Sequence, residues 1–536
     1  MRKFLIIITV LALAGGTAFS QGMLDAYRYS LSDLNGTARY LAMGGAFGAL
    51  GGDISAMSGN PAGLAVYHSS EMVTTLSVNN FSTESKWLGM NTTTDKTRLS
   101  MDNIAYVGYM PTGNDEGLTG WNFGFSYNRL KNFRRSYSMS AGSALNTSVS
   151  DYIASRAYGI DGKTQMVSGT DYDPYSSQDW LSVLGYNAGY IDYYNNQNTA
   201  YYSSFGDVDA NGNWQPYSLS GASLRVNERG SVDLYQLSFG FDVSNVFMFG
   251  ATVGITDLSY HYNSQYDEKF SNDNDLFLDN NLSTDGTGYN LKVGVLTRPT
   301  DFLRLGVAYS SPTWYKMTDY YYAEAGSYLT YTENGASKER SLKAHTPDTD
   351  AYTDYEYRTP DKWLFSAAAI FGQNALLSVD YELSNYGNMK LYDNNGNTNT
   401  YIDANNNDIQ NYFKNQNTLR VGAEVRVTPQ FSVRAGAAWS DSPMESVLKN
   451  GQLEVNTVGT IPHFTVDKGI SDYSVGLGYR FTPQFYTDIA CVLRTYKEDA
   501  YSFSSMYENG KAFLTAQPAS LKTHTTRVAL SFGYKF

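Results

Sequence analysis

The sequence contains a single cysteine, Cys491, among 536 residues. An intrachain disulfide is therefore excluded, and so are disulfide-stabilised scaffolds and cysteine zinc sites. Charged residues make up only 17% of a chain with a net charge of −13, and no basic stripe appears, which argues against a nucleic-acid partner. Beyond the N-terminus there is no run of about eighteen apolar residues, so a closed barrel is the remaining way for this chain to span a bilayer.

Motifs that would assign catalytic or cofactor chemistry are also missing. The five histidines are scattered, without the spacing of metal ligands or of a haem-binding pair. No G-x-S-x-G element supports a hydrolase, and no energy-coupling sequence stands near Gln21. These absences favour a passive protein that is not an enzyme and holds no cofactor.

Aromatic residues are abundant, with 46 Tyr, 26 Phe and 7 Trp, and such residues suit half-buried pleated surfaces. The last ten residues, RVALSFGYKF, alternate large apolar side chains with small or polar ones. This period of two predicts a strand with lipid on one face and a polar or crowded lumen on the other. The final residue, Phe536, resembles the terminal signature by which the outer-membrane insertion machinery recognises its clients.

Fourteen segments carry this alternation, and an even number is typical of bacterial barrels. They are 70–82, 98–110, 119–133, 231–243, 246–262, 286–298, 301–317, 355–371, 374–392, 417–428, 430–441, 471–482, 484–500 and 521–536. Short connections such as Ser244-Asn245 alternate with long polar ones at 83–97, 134–230, 263–285, 318–354, 393–416, 442–470 and 501–520. The predicted fold is all-β: a transmembrane antiparallel β-barrel of about 14 strands with tight periplasmic turns and long extracellular loops. A helix is predicted at 177–191, in the longest loop, with Asp179 near its start.

The N-terminus divides into two further predicted segments. Residues 1–20 combine Arg2 and Lys3, a short apolar run and small residues before Gln21, which predicts a signal peptide. Residues 21–69 do not alternate and are rich in Gly and Ala, which predicts a hatch packed inside the lumen of the barrel, 70–536. The G-x-x-G-x-x-G spacing at Gly45, Gly48 and Gly51 differs from a dinucleotide fingerprint and lacks its βαβ context.

The segment Ala42–Ala65, AMGGAFGALGGDISAMSGNPAGLA, resembles the hatch of the FadL/TodX family of outer-membrane transporters of hydrophobic compounds. Family positions fall on Asp53, Ser55, Asn60, Pro61, Ala62 and Gly63. Further resemblance lies in TPDKWLFSAAAIF from Thr359, in LRVGAEVRVTPQFSVRAGAAWSDSP from Leu419 and in IPHFTVDKGISDYSVGLGYRF from Ile461. The resemblance is weakest in 134–230 and 318–354, which leaves the ligand open.

The resemblance implies passive uptake of hydrophobic compounds such as long-chain fatty acids or aromatic hydrocarbons through the outer membrane of a Gram-negative bacterium. The expected protein is a monomer whose partners are outer-membrane lipid, lipopolysaccharide and the insertion machinery. An adhesive or structural surface barrel, a haem-binding receptor and a barrel enzyme are the alternatives.

Several residues are candidates for the site. The expected hatch and gating residues are Asp53, Ser55, Asn60, Pro61 and Ala62, although Asn60-Pro61 also suits a plain turn before a strand. Four arginines fall on lumen-facing phases of their strands: Arg420, Arg426, Arg434 and Arg480. They either meet an anionic head group or form internal ion pairs with acids such as Asp53 or Glu424. Phe81 is a further candidate for the conduit. Asp207, Asp209 and Asn211 match the start of a calcium loop, but Ser218 stands where its bidentate acid is expected, and solvated turns explain the motif equally.

Overall fold

The computed structural model describes residues 22–165, 173–194, 197–208, 214–333, 336–347, 352–457 and 459–536. The predicted signal peptide therefore lies outside the described residues. Fourteen antiparallel strands close into a barrel, because each strand pairs with the next and the last pairs with the first over Glu71↔Lys535 to Lys86↔Ser520. The predicted fold class and strand number are confirmed.

The strands are β1 Glu71–Trp87, β2 Met90–Pro111, β3 Leu118–Asn132, β4 Leu219–Val243, β5 Phe247–Phe270, β6 Asp275–Thr297, β7 Leu303–Ser310 with Trp314–Glu333, β8 Tyr352–Arg358 with Lys362–Phe371, β9 Ala375–Asn385 with Lys390–Asp393, β10 Asn415–Arg426, β11 Phe431–Ser440, β12 Phe464–Arg480, β13 Phe485–Tyr501 and β14 Ala519–Lys535. Two more strands extend the sheet outside the membrane: Arg135–Gly142 pairs with β4, and Ala336–His345 pairs with β7. Short hairpins pair Ile191–Tyr194 with Gln197–Ser203, Gly206–Val208 with Trp214–Pro216, and Met506–Glu508 with Lys511–Leu514.

The tight turns follow the local chemistry that predicted them. Ser244 and Asn245 both have positive φ, at 55° and 56°, which is the backbone of a two-residue hairpin turn between right-twisted strands. The turns at Thr428 and Thr482 are built alike: each threonine hydroxyl accepts a hydrogen bond from the amide three residues on, at 3.0 and 2.9 Å.

Three of the predicted long loops are wrong. Residues 318–354 are mainly strand, since β7 runs on to Glu333 and Ala336–His345 pairs back with it. Residues 83–97 and 263–285 are mainly strand, since β1 and β2 run on to a turn at Leu88–Gly89, and β5 and β6 to a turn at residues 271–274. Above the membrane the outer face of these strands is mainly polar, and the inner face of β5 and β6 mixes Tyr, Phe and Leu with Ser, Glu and Asn, so the apolar alternation that marks a strand in lipid is lost while the hydrogen-bonded ladder continues.

A belt of exposed apolar side chains surrounds the lower half of the barrel. On β4 it runs from Phe241 to Tyr235, on β5 from Phe247 to Ile255, and on β12 from Tyr479 to Tyr473. An outward-facing apolar band is the surface that a barrel presents to lipid. Among the described residues, no helix is both long and apolar enough to cross a membrane.

The extracellular mouth is filled by an aromatic-rich core, named here the extracellular cap. It joins the upper strand ends to helices α1 Met23–Ser30, α3 Val149–Arg156, α4 Trp180–Asn187 and α5 Thr400–Tyr412; the remaining helices are α2 Ala38–Ala42 and α6 Ser446–Lys449. Helix α4 confirms the helix predicted at 177–191, and the Asp179 carboxylate caps it by accepting from the amide of Ser182 at 2.9 Å. Buried tyrosines from strands and helices pack together in this core: Tyr27, Tyr29, Tyr137, Tyr152, Tyr190, Tyr260, Tyr357 and Tyr386. Tyrosines of the long connection 134–230, such as Tyr137, Tyr152 and Tyr190, therefore help to fill the extracellular end of the barrel.

Residues 22–70, named here the luminal segment, lie inside the barrel. After α2 they form two 3₁₀ helices, Ile54–Ser58 and Pro61–Val66, before entering β1. Their backbone and side chains contact the inner faces of strands on opposite sides of the wall.

Candidate functional site

Glycines on the inner face of the wall let the luminal segment lie directly against the strands. Gly422 and Gly436 are cross-strand partners on β10 and β11. A Cβ on Gly436 would lie 2.2 Å from the Gly44 nitrogen, and one on Gly422 would lie 2.4 Å from the Met43 oxygen. Across the lumen, a Cβ on Gly250 would lie 2.2 Å from the Pro61 carbonyl carbon. The small residues that alternate with lipid-facing ones therefore form the seat of the luminal segment.

Hydrogen bonds attach the luminal segment to opposite sides of the wall. On β9, a carboxylate oxygen of Asp380 accepts from the amides of Phe47 at 3.0 Å and Gly48 at 2.9 Å. On β14, the Ser531 hydroxyl accepts from the Ala38 amide at 2.7 Å. On β6, the Lys292 ammonium donates to the Ser58 carbonyl at 2.6 Å.

A buried chain of charges continues from the luminal segment into the wall. Arg39 pairs with Glu424 at 2.8 Å, Glu424 pairs with Arg434 at 2.5 Å, and Arg434 pairs with Asp488 at 2.5 Å. The side chains of Arg434, Glu424 and Asp488 are each less than a tenth exposed. Each charge has an opposite partner, which is the arrangement that makes buried charges tolerable.

The five candidate hatch residues lie together in the luminal segment, and their contacts are internal or to the wall. The Asp53 carboxylate accepts from the Thr37 hydroxyl at 2.8 and 2.9 Å and from the Ser55 amide at 3.0 Å. The Asn60 side chain accepts from the Ala62 amide at 3.1 Å and donates to the carbonyls of Gly48 at 2.7 Å and Val295 at 3.2 Å. Pro61 begins the second 3₁₀ helix, and Ala62 packs in a cluster with Met248 and Leu296.

A cavity of about 210 Å³ lies between the luminal segment and the wall, on the side of the segment that faces the cap. Part of its lining is apolar: Leu31, Leu34, Phe47, Tyr315, Leu364 and Ile470. The rest is charged: Asp33, Arg129, Lys292, Lys362, Asp380, Glu382, Arg420, Asp472 and Arg494. The cavity therefore offers apolar surface and fixed charge to the same occupant.

Most of these charges are paired, but Lys292 has no acidic partner among the described residues. Glu382 pairs with Arg420 at 2.9 Å and Lys362 at 3.7 Å, and Asp33 pairs with Arg494 at 2.5 Å. Lys292 is 9% exposed, and among the described residues its ammonium donates a hydrogen bond to the Ser58 carbonyl alone. A buried cation bonded only to a carbonyl gains from an anion placed beside it.

The cavity reaches a seam in the wall between β2 and β3. The β2–β3 ladder covers only Asn103↔Asn128 to Pro111↔Gly120. Above it, residues 90–102 of β2 pair with β1 alone among the described residues, because the chain after β3 turns away to pair with β4 through Arg135–Gly142. Asn128, Arg129 and Leu130, at the upper end of the ladder, line the cavity.

The structure separates the four candidate arginines. Arg420 and Arg434 lie on the inner wall and are paired with Glu382 and Glu424, as the ion-pair alternative expected. Arg426 and Arg480 are exposed at the ends of β10 and β12, beside the periplasmic turns and away from the cavity lining. Phe81 is half-buried on β1, opposite Lys96 of β2, at the level of the seam.

The remaining candidates lie at the two ends of the barrel. Asp207 is exposed in a short hairpin, while Asp209 and Asn211 fall outside the described residues. No cluster of His, Cys, Asp and Glu suited to a metal occurs in the described part of the chain. Phe536 is 70% exposed at the periplasmic end, where its amide donates to the Ser70 carbonyl at 2.9 Å.

Two of the titratable groups buried in the extracellular cap, His463 and Glu268, have shifted pKa values. His463 bonds to the Tyr137 hydroxyl at 2.6 Å and the Tyr501 carbonyl at 2.7 Å, and burial lowers its pKa to about 4. Burial raises the pKa of Glu268 to about 7, although the carboxylate accepts from the Val149 amide at 2.8 Å and from the Tyr266 hydroxyl at 2.5 Å. Both groups therefore favour the neutral form in the folded protein.

Lys292 was missed from the sequence, although a signal for it exists. It stands on the inner phase of β6 between two lipid-facing residues, Leu291 and Val293, which are 49% and 45% exposed. A charge in the middle of an otherwise apolar strand must face the lumen. Its lack of an acidic partner depends on distant strands and has no signature in the local sequence.

A family model described as outer membrane protein transport protein (OMPP1/FadL/TodX) matches residues 218–536. Among solved structures, a FadL homologue of Pseudomonas aeruginosa is similar with 15% identity and a TM-score of 0.54, over 95% of this chain and 100% of that one. The toluene transporter TodX of P. putida is similar with 12% identity and a TM-score of 0.46, over 94% of this chain and 99% of that one. The toluene transporter TbuX of Ralstonia pickettii is similar with 12% identity and a TM-score of 0.45, over 94% of this chain and 99% of that one. No curated protein matches the sequence. The likeness to the FadL homologue extends the shared fold to nearly the whole chain.

Proposed function

The chain belongs to the OMPP1/FadL/TodX family of outer membrane transport proteins, and from this membership we propose that it carries amphipathic hydrophobic compounds passively through the outer membrane. It is a Gram-negative outer-membrane β-barrel, and the barrel closes within one chain. We infer that it works as a monomer, without catalysis and without a cofactor.

The observation that carries the proposal is the cavity containing Lys292. Its apolar lining suits the body of a hydrophobic molecule, which gains roughly 25 cal/mol per Å² of apolar surface removed from water. The Lys292 ammonium suits an acidic head group, because its present partner is a neutral carbonyl. A fatty or aromatic carboxylate meets both requirements.

The size of the cavity separates small ligands from long ones. At about 210 Å³ it exceeds the ~150 Å³ that accommodates benzene in a protein interior, so a single-ring compound fits without rearrangement. A long acyl chain does not fit unless the luminal segment moves. This supports the role of residues 21–69 as a hatch, with Asp53, Ser55 and Asn60 holding its closed form.

The seam beside Asn128 gives the cavity a route toward the membrane. Here β2 and β3 stop sharing ladder hydrogen bonds, so separating them above Asn103 breaks no ladder bond between the two strands. We propose that ligand leaves the cavity sideways at this level, past Phe81, once the luminal segment has shifted.

Uptake by a deletion strain tests the function. The strain should accumulate less radiolabelled long-chain fatty acid or aromatic hydrocarbon than its parent, and the plasmid-borne gene should restore accumulation. Normal uptake together with lost surface adhesion would instead indicate the adhesive alternative. A haem that remains bound in native mass spectrometry of the purified barrel would indicate the haem receptor.

The variant Lys292→Met tests the head-group assignment. It keeps the length of the side chain and removes the charge, so uptake of carboxylates should fall about tenfold while uptake of neutral toluene stays unchanged. The matched control is Lys362→Met, which removes a cation that already has Glu382 as a partner. Equal loss for both substrates would refute a role in recognising the carboxylate.

The exposed ring of Phe536 supports recognition by the insertion machinery at the periplasmic face. Deleting Phe536 should lower the amount of assembled barrel, measured as heat-modifiable protein in outer-membrane fractions. Uptake per assembled molecule should stay constant, because the residue lies far from the cavity lining.

A further inference from the structure

Four cations gather where the free edge of β2 overlaps the outer surface of the neighbouring strands. Lys96 of β2 donates to the Ser136 hydroxyl and to the Asn227 side-chain oxygen, both at 3.2 Å. Ser136 and Asn227 are cross-strand partners, and Asn227 faces outward on β4. The upper part of β2 thus leans over the outer surface of the adjoining strands instead of continuing the ladder.

Arg98, Arg134 and Arg229 complete this group, named here the seam cations. All three are exposed, and in the described part of the chain none of the four forms an ion pair. Partial burial first, and then the like charges of the three arginines, hold the pKa of Lys96 below its usual range. Concentrated positive charge is unusual in a protein with a net charge of −13, and it is complementary to a polyanion.

An open groove of about 680 Å³ adjoins the seam cations on the same outer surface. Its lining includes Asn227, Arg229, His261, Asn263, Tyr320 and Tyr352. The amides and the imidazole offer hydrogen bonds in several directions, and the two exposed tyrosine rings, 6.2 Å apart, offer flat apolar faces. Side-chain amides beside exposed aromatic rings suit the hydroxyls and C–H faces of sugars.

The height of the groove identifies the layer that it meets. The apolar belt ends at Tyr235 on β4, at Ile255 on β5 and at Trp314 on β7. Groove residues Arg229, His261 and Tyr320 lie six residues above these positions, toward the extracellular end of each strand. Six residues along a tilted strand correspond to roughly 15 Å above the belt. Arg98 lies closer in height: the next residue, Leu99, is 72% exposed on the opposite face of β2, whereas Arg98 shares the face of Lys96. The surface therefore extends upward from the edge of the lipid layer.

We propose that the seam cations and the adjoining groove bind the phosphorylated glycan of an outer-leaflet lipopolysaccharide molecule. Arg98 and Lys96 hold phosphate at the edge of the membrane, and Arg229 with the tyrosine-lined groove holds the sugars above it. The bound glycolipid lies across the free edge of β2 and bridges it to the strands that it overlaps. This site lies on the outer surface and is distinct from the luminal cavity.

Binding of purified lipopolysaccharide to the full-length barrel in mild detergent tests the proposal. The double variant R98Q/R229Q should weaken binding roughly 25-fold, at about fivefold for each cation near a charged lipid surface. The matched control K497Q/K522Q removes two exposed cations that are cross-strand partners on β13 and β14, and it should change binding less than twofold. Heat-modifiable migration checks that each variant is folded.

Two further probes identify the chemistry. Enzymatically dephosphorylated lipopolysaccharide should bind the wild-type barrel at least tenfold more weakly than intact lipopolysaccharide. Salt at 0.5 M should weaken the binding of intact lipopolysaccharide to the same extent, because salt screens exposed charges. Equal binding of phosphatidylglycerol and lipopolysaccharide would overturn the assignment of the groove to sugar. Unchanged binding by R98Q/R229Q, or by a second variant Y320A/Y352A, would overturn the site itself.

Discussion

Replacing Gly436 by alanine is expected to loosen the luminal segment while leaving the barrel closed. The new Cβ would lie 2.2 Å from the Gly44 nitrogen and the Met43 carbonyl carbon, a separation that real Cβ atoms do not show. The colliding atoms are backbone, so no side-chain rotation relieves the contact. Because the ladder bonds of β11 do not involve this side chain, the luminal segment must give way.

The expected size of the effect follows from overpacking, which typically costs about 1–3 kcal/mol. If the barrel stays intact, that cost falls on the attachment of the luminal segment. Its local opening should then become roughly 5- to 150-fold more frequent.

Hydrogen–deuterium exchange measures this opening directly. Peptides covering residues 37–68 should lose protection by that factor in Gly436→Ala, while peptides from the barrel strands should exchange as in the wild type. The matched control is Gly142→Ala, because a Cβ at Gly142 meets only the Met90 sulfur at 3.9 Å. Unchanged protection of residues 37–68 would refute the idea that close approach to the glycine seat holds the segment.

The remaining predictions concern the charge chain and the extracellular cap. Replacing Arg39 by methionine should destabilise the luminal segment by roughly 2 kcal/mol, measured by the same exchange experiment, because Glu424 loses one of its two charged partners. Neutral His463 is favoured in the folded cap, with a pKa of about 4 against ~6.5 when unfolded, so cap stability should fall as the pH drops from 6.5 to 4. His463→Gln should flatten that decline in chemical denaturation followed by tyrosine fluorescence. The pH dependence contributed by Glu268 has the opposite sign. Because its pKa is raised to about 7 in the folded protein, it contributes stability that is fully present below about pH 4.5 and is lost as the pH rises through 7. Glu268→Gln should remove this loss.

The sequence by itself determined the barrel. Alternation with period two marked the part of each strand that faces lipid, because lipid outside and a crowded lumen inside impose opposite demands on successive residues. Turns such as Ser244-Asn245 fixed the periplasmic ends through chemistry that is purely local. The Gly- and Ala-rich segment before β1 was recognisable because it lacked that alternation.

The rule of period-two alternation failed above the membrane, where no lipid contacts the outer face of the strands. Above the membrane, water bathes the outer face of β5 and β6, so polar residues replace the lipid-facing apolar ones. The inner face mixes apolar residues such as Tyr266 and Leu278 with polar ones such as Glu268, and residues 263–285 therefore resembled a loop. The long connection at 134–230 contains α3 and α4, and only their packing against the strand ends shows that these residues close the mouth.

Tertiary structure alone decided which lumen-facing charges are available to a ligand. The phase of a strand places Arg434, Arg420 and Lys292 inside the barrel alike, but it does not say which acid stands beside each of them. Pairing between strands of the wall satisfies the two arginines, Arg420 through Glu382 and Arg434 through Glu424 and Asp488, and leaves Lys292 with the Ser58 carbonyl. These partners lie from 10 to 234 positions away along the chain, and a periodicity read along one strand carries no information about them.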